Sequence, residues 1–163
     1  MHYGNIKQFS IENGEGVRVS LFVSGCRHHC KGCFQAQTWD FSFGNEFTKE
    51  VENKLIEMLK HERIDGLTIL GGEPLEPENQ PTVLALIERV KKELPNKTIW
   101  LYTGSILGKN KKLNKNHLDG ITDKILSKID VLVDGPFIEQ KKNLALSFRG
   151  STNQRILYKD KDF

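Results

Sequence analysis

No stretch of this 163-residue chain approaches the roughly 18 consecutive apolar residues that a membrane-spanning helix needs. Its opening segment, MHYGNIKQFSIENGEG, carries no basic flank followed by an apolar run, so neither an anchor nor a secretory leader is expected and the cytoplasm is the expected compartment. Cysteine is scarce: three residues, all between positions 26 and 33. An odd number in one short window is not the paired framework of a small secreted domain, and a chain this long buries roughly 70% of its unfolded surface without such staples. An excess of one charge is also lacking. Lys plus Arg number 24 against 21 Asp plus Glu, a formal +3, which is too weak a field to indicate a nucleic-acid binder. Internal repeats, heptads and low-complexity linkers are missing too, which excludes arrays, fibres and bulk disorder. What remains, 37% hydrophobic and 28% charged, fits one globular domain over residues 1–163.

Within that domain the apolar residues fall into an alternating pattern. Residues 17 to 23, VRVSLFV, form a β-branched and aromatic run ending at Ser24-Gly25, which reads as a buried strand emptying into the cysteine loop. From Thr48 to Arg63 the residues Val51, Leu55, Met58 and Leu59 recur at spacings of three and four, so a helix with one buried face is expected, with Thr48 as N-cap and Glu50 in its first turn. Leu67 to Leu70 gives a short strand stopped by Gly71-Gly72-Glu73-Pro74, where glycine admits unusual backbone angles and proline blocks further pairing. Pro81 opens a second helix with Val83, Ile87, Val90 and Leu94 on one face, and Pro95 forbids its continuation. Thr98 to Tyr102 returns to a strand. The Lys-, Asn- and Gly-rich stretch from Ser105 to Asn116 has no period and reads as an exposed, weakly constrained connection. Leu118, Ile121, Ile125 and Ile129 mark a third helix, and Val131-Leu132-Val133 a last short strand before Asp134-Gly135-Pro136.

Repeated strand-helix units with continuously apolar strands argue for the α/β class, a parallel sheet covered by helices. Ligands of such sheets sit beyond the C-terminal strand ends. The cysteine loop, the Gly71-Gly72-Glu73-Pro74 loop, Thr103-Gly104 and Asp134-Gly135-Pro136 each follow an expected strand, so all four are expected at one mouth.

Cys26, Cys30 and Cys33 stand as C-x3-C-x2-C within SGCRHHCKGCF, and three readings are open. Buried structural thiols are disfavoured, because Arg27, His28, His29 and Lys31 make basic surroundings that lower a thiol pKa and favour thiolate. A structural zinc with His28 or His29 as fourth ligand is the second, although such sites usually join two separated ligand pairs. The third is a 4Fe-4S cluster, which usually takes four thiolates. Three leave one iron open to polarise a substrate or to pass it an electron.

The C-x3-C-x2-C loop after the first strand, followed by GGEP after the next core strand, resembles the radical S-adenosylmethionine superfamily. SLFVSGCRHHCKGC, QTW at Gln37 to Trp39, LTILGGEPL, IWLYTG, VLVDGPF and FRGSTNQRI are together similar to the glycyl-radical activases that serve the anaerobic ribonucleoside-triphosphate reductase, over about Gly14 to Ile156. The resemblance implies that Cys26, Cys30 and Cys33 hold the cluster and that its open iron chelates the methionine portion of S-adenosyl-L-methionine. A reduced cluster would then cleave this molecule to methionine and a 5′-deoxyadenosyl radical, which takes a hydrogen from a glycine of the reductase. In relatives the backbone at Gly71, Gly72 and Glu73 accepts from the methionine ammonium. Gly32 and Phe34 flank Cys33, and the Phe34 ring is expected to pack against adenine. Much of the superfamily has an aromatic just before the third cysteine, whereas this chain has Gly32 there and Phe34 after it, an arrangement that the reductase-activase subgroup shares.

At this length a partial (β/α) barrel is expected, since a complete eight-fold barrel takes about 250 residues. The expected partners are the reductase and a one-electron donor such as flavodoxin, with neither nucleic acid nor a membrane among them. Two rivals stand beside this reading: an activase of another glycyl-radical enzyme such as pyruvate formate-lyase, and a zinc-stabilised nucleic-acid-binding module. His28 and His29 are expected in solvent or in hydrogen bonds, as loop histidines usually are. Ser151, Asn153 and Gln154 are expected in turns and caps, and Lys109, Lys111, Lys112 and Lys115 on a solvated loop, with a docking patch as the functional alternative. On the three-cysteine ligand set, Cys30→Ala abolishes cluster assembly while His29→Ala leaves it close to wild type; iron and acid-labile sulfide measured after anaerobic purification check both.

Overall fold

The computed structural model describes residues 1–163 and gives ten regular elements in chain order: β1 (His2–Ser10), β2 (Arg18–Val23), β3 (Asn45–Glu46), α1 (Lys49–Leu59), β4 (Gly66–Gly71), α2 (Gln80–Glu93), β5 (Thr98–Tyr102), α3 (Ile121–Lys128), β6 (Val131–Asp134) and β7 (Arg155–Tyr158). All seven strands join one sheet in the order β3-β1-β2-β4-β5-β6-β7. The four apolar runs are its parallel centre, β2-β4-β5-β6. No helix is long and apolar enough to cross a membrane.

Each step through the parallel strands moves the same way across the sheet, so right-handed crossovers deliver all three helices to one face. Alternate strand residues show the result. Leu21 and Val23 of β2, Leu67 and Ile69 of β4, Ile99 and Leu101 of β5, and Leu132 of β6 pack with Leu55, Leu59, Leu86, Ile87, Val90 and Ile125 of the helices in one core. Their neighbours Phe22, Leu70 and Tyr102 face the other way, into a cavity. Trp100, Val131 and Val133 on that second face are covered instead by Phe148, Ile156 and Tyr158 of the C-terminal segment. The helices begin and end near the expected signals. The Thr48 hydroxyl accepts from the Val51 amide at 3.3 Å, Pro81 lies in the first turn of α2, and the Asp123 carboxylate accepts from the Gly120 amide at 2.9 Å at the start of α3.

Three expectations need correction. The sheet is mixed rather than wholly parallel, because β1, β3 and β7 pair antiparallel. β1 is half exposed, with Phe9 in the left-handed region (φ 60) where its register to β2 shifts, so it has no apolar run to announce it. Second, the connection from Ser105 to Asn116 is anchored. Leu107 and Leu113 are buried and bridged to each other, the Ser105 hydroxyl donates to Lys115 O at 3.1 Å, and Asp134 accepts from the Leu107 amide at 2.8 Å. Lys109, Lys111, Lys112 and Lys115 are exposed, and Lys112 pairs with Asp119 and Asp123.

Third, the run VRVSLFV contains a buried cation. Arg18 is 1% exposed at the N-terminal edge of the parallel strands. Its guanidinium donates to Thr68 Oγ1 at 2.8 Å, to Thr98 Oγ1, Leu67 O and Thr98 O at 2.9 Å each, and to Glu15 O at 3.1 Å. Burial lowers its pKa to about 10, which leaves it charged at neutral pH. One side chain thereby ties β2, β4 and β5 together at the end opposite the cysteines. Arg18→Met keeps much of the stem but orphans several buried acceptors, and is expected to lower the free energy of unfolding by about 3 kcal/mol, read from the urea midpoint at unchanged slope.

Candidate functional site

The parallel register sets Val23 beside Gly71 at the C-terminal ends of β2 and β4, so the cysteine loop and the glycine loop leave the sheet side by side. The two loops after β5 and β6 join them. A cavity of about 470 Å³ is lined by Cys26, Cys30, Cys33 and Phe34 from the first loop, Gly71, Gly72 and Glu73 from the second, Thr103 and Gly104 from the third, and Gly135 and Phe137 from the fourth. This volume is in the range of small-molecule sites, and the four loops share one mouth as expected. Its floor is Phe22, Leu70 and Tyr102, and its far wall is Phe148, Arg149, Gly150 and Gln154.

All three cysteines are free thiols. Cys26 is buried and Cys30 and Cys33 are half-buried. The expected activation by basic neighbours is not what the structure holds. Arg27 turns away to Glu76 and Glu78, at 2.8 Å from each, and Lys31 is exposed beside Glu139. Burial instead pushes the Cys26 thiol up to about 12 and raises Cys30 above the ordinary thiol value. Loading with a metal therefore means exchanging protons for metal in a half-dry pocket.

Glu73 is 1% exposed and fully engaged. One carboxylate oxygen accepts from the Leu75 amide at 2.8 Å; the other accepts from Thr103 Oγ1 at 3.0 Å and from the Gly104 amide at 2.8 Å, and lies 2.7 Å from His28 Nε2. The hydrogen bond to Glu73 raises the His28 pKa against the opposing effect of burial. His29, exposed, stacks on Trp39 at 4.4 Å with the rings 12° apart. Of the two histidines considered as a fourth ligand, His28 thus spends Nε2 on Glu73.

Phe34 stands at the lip, 54% exposed, tilted against Phe137 at 5.0 Å with Lys142 Nζ 5.0 Å from its ring centre. Gly32 (φ 76) is outside the lining; a Cβ there would meet the Glu139 side chain at 3.1 Å. The C-terminal block acts as stitching, as its turn-forming residues suggest. Gln154 Oε1 accepts from the Gly150 and Ser151 amides, Gln154 Nε2 donates to Gly135 O, Asn153 Nδ2 donates to Pro136 O, and Ser151 Oγ accepts from the Ile138 amide. Arg155 forks onto buried Asp134, a bidentate pair that joins β7 to β6.

Two residues that sequence reasoning passed over, Glu76 and Asn79, are each 1% exposed beside the cysteine loop. Glu76 accepts from the Arg27 amide at 2.7 Å, and Asn79 Nδ2 donates to Ser24 O at 3.0 Å and Glu73 O at 3.1 Å. The signal that could have found them is the spacing of three from Glu73 to Glu76 to Asn79, which puts polar side chains on one side of a helical turn.

Comparison with known proteins gives an iron–sulfur family and named relatives. Residues 12–157 match the 4Fe-4S single cluster domain family. The anaerobic ribonucleoside-triphosphate reductase-activating protein of Vibrio cholerae serotype O1 is 45% identical over 158 residues, covering 96% of this chain and 97% of that protein. Its namesake from Escherichia coli K12 is 40% identical with the same coverage, and that from Enterobacteria phage T4 is 38% identical over 96% of this chain and 93% of the phage protein.

At Gly72 the two loops pack backbone against backbone. A Cβ there would lie 2.8 Å from Gly25 O and 2.9 Å from Thr38 O, both backbone atoms. Gly72→Ala is expected to push the cysteine loop off β4, to cost about 2 kcal/mol of stability and to reduce the iron taken up on reconstitution; urea unfolding and iron analysis measure the two effects.

Proposed function

The chain belongs to the family of anaerobic ribonucleoside-triphosphate reductase-activating proteins, and from that premise we propose that it forms a glycyl radical on the reductase by reductive cleavage of S-adenosylmethionine at a 4Fe-4S cluster. The observation that carries the reading is the donor set: three free thiols lining one cavity at the C-terminal strand ends, with the adjoining His28 and Glu73 tied to each other. This fits a four-iron cluster held at three corners. When bound, that group supplies the electron that splits the sulfonium bond to methionine and a 5′-deoxyadenosyl radical, which takes a hydrogen atom from a glycine of the reductase.

The chain's own residues bind, orient and shield. Cys26, Cys30 and Cys33 are the metal ligands. The strand-end backbone at Gly71 and Gly72 receives the methionine ammonium, and Cys33 and Phe34 border the nucleoside, with the Phe34 ring against adenine. Phe137 and Phe148 add apolar walls that keep water from a radical. No protein side chain is needed as a catalytic acid or base.

We read the architecture as a single radical S-adenosylmethionine domain over residues 1–163, a partial (β/α) barrel. Unidirectional winding with helices on one face and a ligand cavity on the other supports this reading. The side left open admits one glycine loop of a large protein. A flavodoxin-like one-electron donor in the cytoplasm completes the reaction.

The test mixes reduced enzyme and S-adenosylmethionine anaerobically with the reductase, or with pyruvate formate-lyase in its place. A glycyl radical signal by electron paramagnetic resonance on the reductase, with release of 5′-deoxyadenosine, is the expected outcome. A radical on pyruvate formate-lyase alone overturns the partner, and zinc without sulfide in anaerobically purified protein overturns the chemistry.

A further inference from the structure

We propose that Glu73 is a positioning residue, whose buried carboxylate acts through His28 to hold the cysteine loop against the end of β4. The proposal rests on the cluster reading above and assigns this glutamate a task apart from contact with S-adenosylmethionine. Its polar groups are committed inside the protein. The amide donates to Gly25 O at 2.8 Å, the carbonyl accepts from Asn79 Nδ2 at 3.1 Å, and the two carboxylate oxygens take the amides of Leu75 and Gly104, the Thr103 hydroxyl and the His28 ring. A carboxylate taken out of water is costly unless its lone pairs are filled. Here they are, and a satisfied buried network permits one arrangement of its members.

That arrangement includes the thiol loop. Asn79 holds Ser24 O, Glu76 holds the Arg27 amide, and Glu73 holds the His28 ring. Three attachments from one turn of chain thus flank Cys26 on both sides. The His28 ring also lies flush on residue 104, where a Cβ would come within 2.8 Å of it; glycine at that position lets the imidazole reach Glu73. The second half of the loop, from His29 to Cys33, has no such clamp. Its contacts are the Cys33 amide donating to Cys30 O at 3.1 Å, the Gln35 amide on Cys33 Sγ at 3.4 Å, the stack of His29 on Trp39 and the exposed Lys31–Glu139 pair at 3.9 Å, none of them a buried side-chain anchor. The clamp therefore fixes the position of Cys26 more firmly than those of Cys30 and Cys33.

The test compares His28→Gln, whose side-chain amide reaches about as far as imidazole Nε2, with His28→Leu, which keeps bulk and loses the donor. In His28→Leu, folded by circular dichroism, iron affinity on anaerobic reconstitution is expected to fall about tenfold. The change that S-adenosylmethionine causes in the electron paramagnetic resonance spectrum of the reduced cluster should weaken, and KM for S-adenosylmethionine should rise more than kcat per cluster falls. His28→Gln should restore all three. Wild-type iron uptake and an unchanged spectral response in His28→Leu overturn the proposal. If His28→Leu does not fold, His28→Asn, too short to reach Glu73, replaces it. Failure of both to fold while His28→Gln folds assigns the pair to overall stability and also overturns the proposal. Cys30→Ala run alongside separates the two levels: retention of iron there sinks the ligand reading itself, whereas its loss beside an unaffected His28→Leu sinks only the clamp.

Discussion

Parallel pairing of β2 with β4 is the constraint on which the site depends. Because Val23 lies beside Gly71, two loops separated by about forty residues of sequence leave the sheet at the same height. Their backbones then touch: the Gly72 amide donates to Val23 O and the Glu73 amide to Gly25 O, both at 2.8 Å. No side chain fits between them at Gly72. A slip of one residue in that ladder would exchange the two faces of β2. Val23 would leave the helix-covered core and Phe22 the cavity floor, so the core and the cavity enforce the same register.

The ends of the parallel strands are held by opposite electrostatic devices. At the N-terminal end a cation, Arg18, is buried among neutral acceptors from two neighbouring strands and one connection. At the C-terminal end an anion, Glu73, is buried among neutral donors and one histidine. Each charge is satisfied by groups fixed in the sheet or its loops. Residues that could have supplied a positive field to the thiols are drawn off, Arg27 by Glu76 and Glu78 and Lys31 by Glu139. The thiols therefore sit in a low-dielectric pocket that raises Cys26 and Cys30. Such a pocket suits a metal that displaces protons outright.

Much of the molecule was legible from residue patterns. The apolar runs at 17 to 23, 67 to 70, 98 to 102 and 131 to 133 became the parallel centre, because strands buried on both faces carry few polar positions to blur them. The helices followed from spacings of three and four and from Thr48, Pro81 and Pro95. The four strand-end loops were read correctly as one mouth. β1 and β7 escaped because they are partly exposed and carry mixed residues, and the stretch from Ser105 to Asn116 looked free because Leu107 and Leu113 are single apolar residues among lysines and asparagines. Leu107 is held by Asp134, twenty-seven positions away, a contact that no local pattern announces.

By itself, the sequence determined the four central strands and three helices, their order, the three thiols as the distinctive chemistry and the glycine loop as their companion, since these depend on local periodicity and on residue types no common alternative would place together. Tertiary structure alone decided that Arg18 is buried, that Arg27 and Lys31 face carboxylates and not sulfur, and that Glu73, Glu76 and Asn79 reach back to the cysteine loop. Each of these is settled by which distant group lies within about 4 Å, and for the buried ones in a medium of low dielectric, where a charge takes its properties from the partner that folding brings to it.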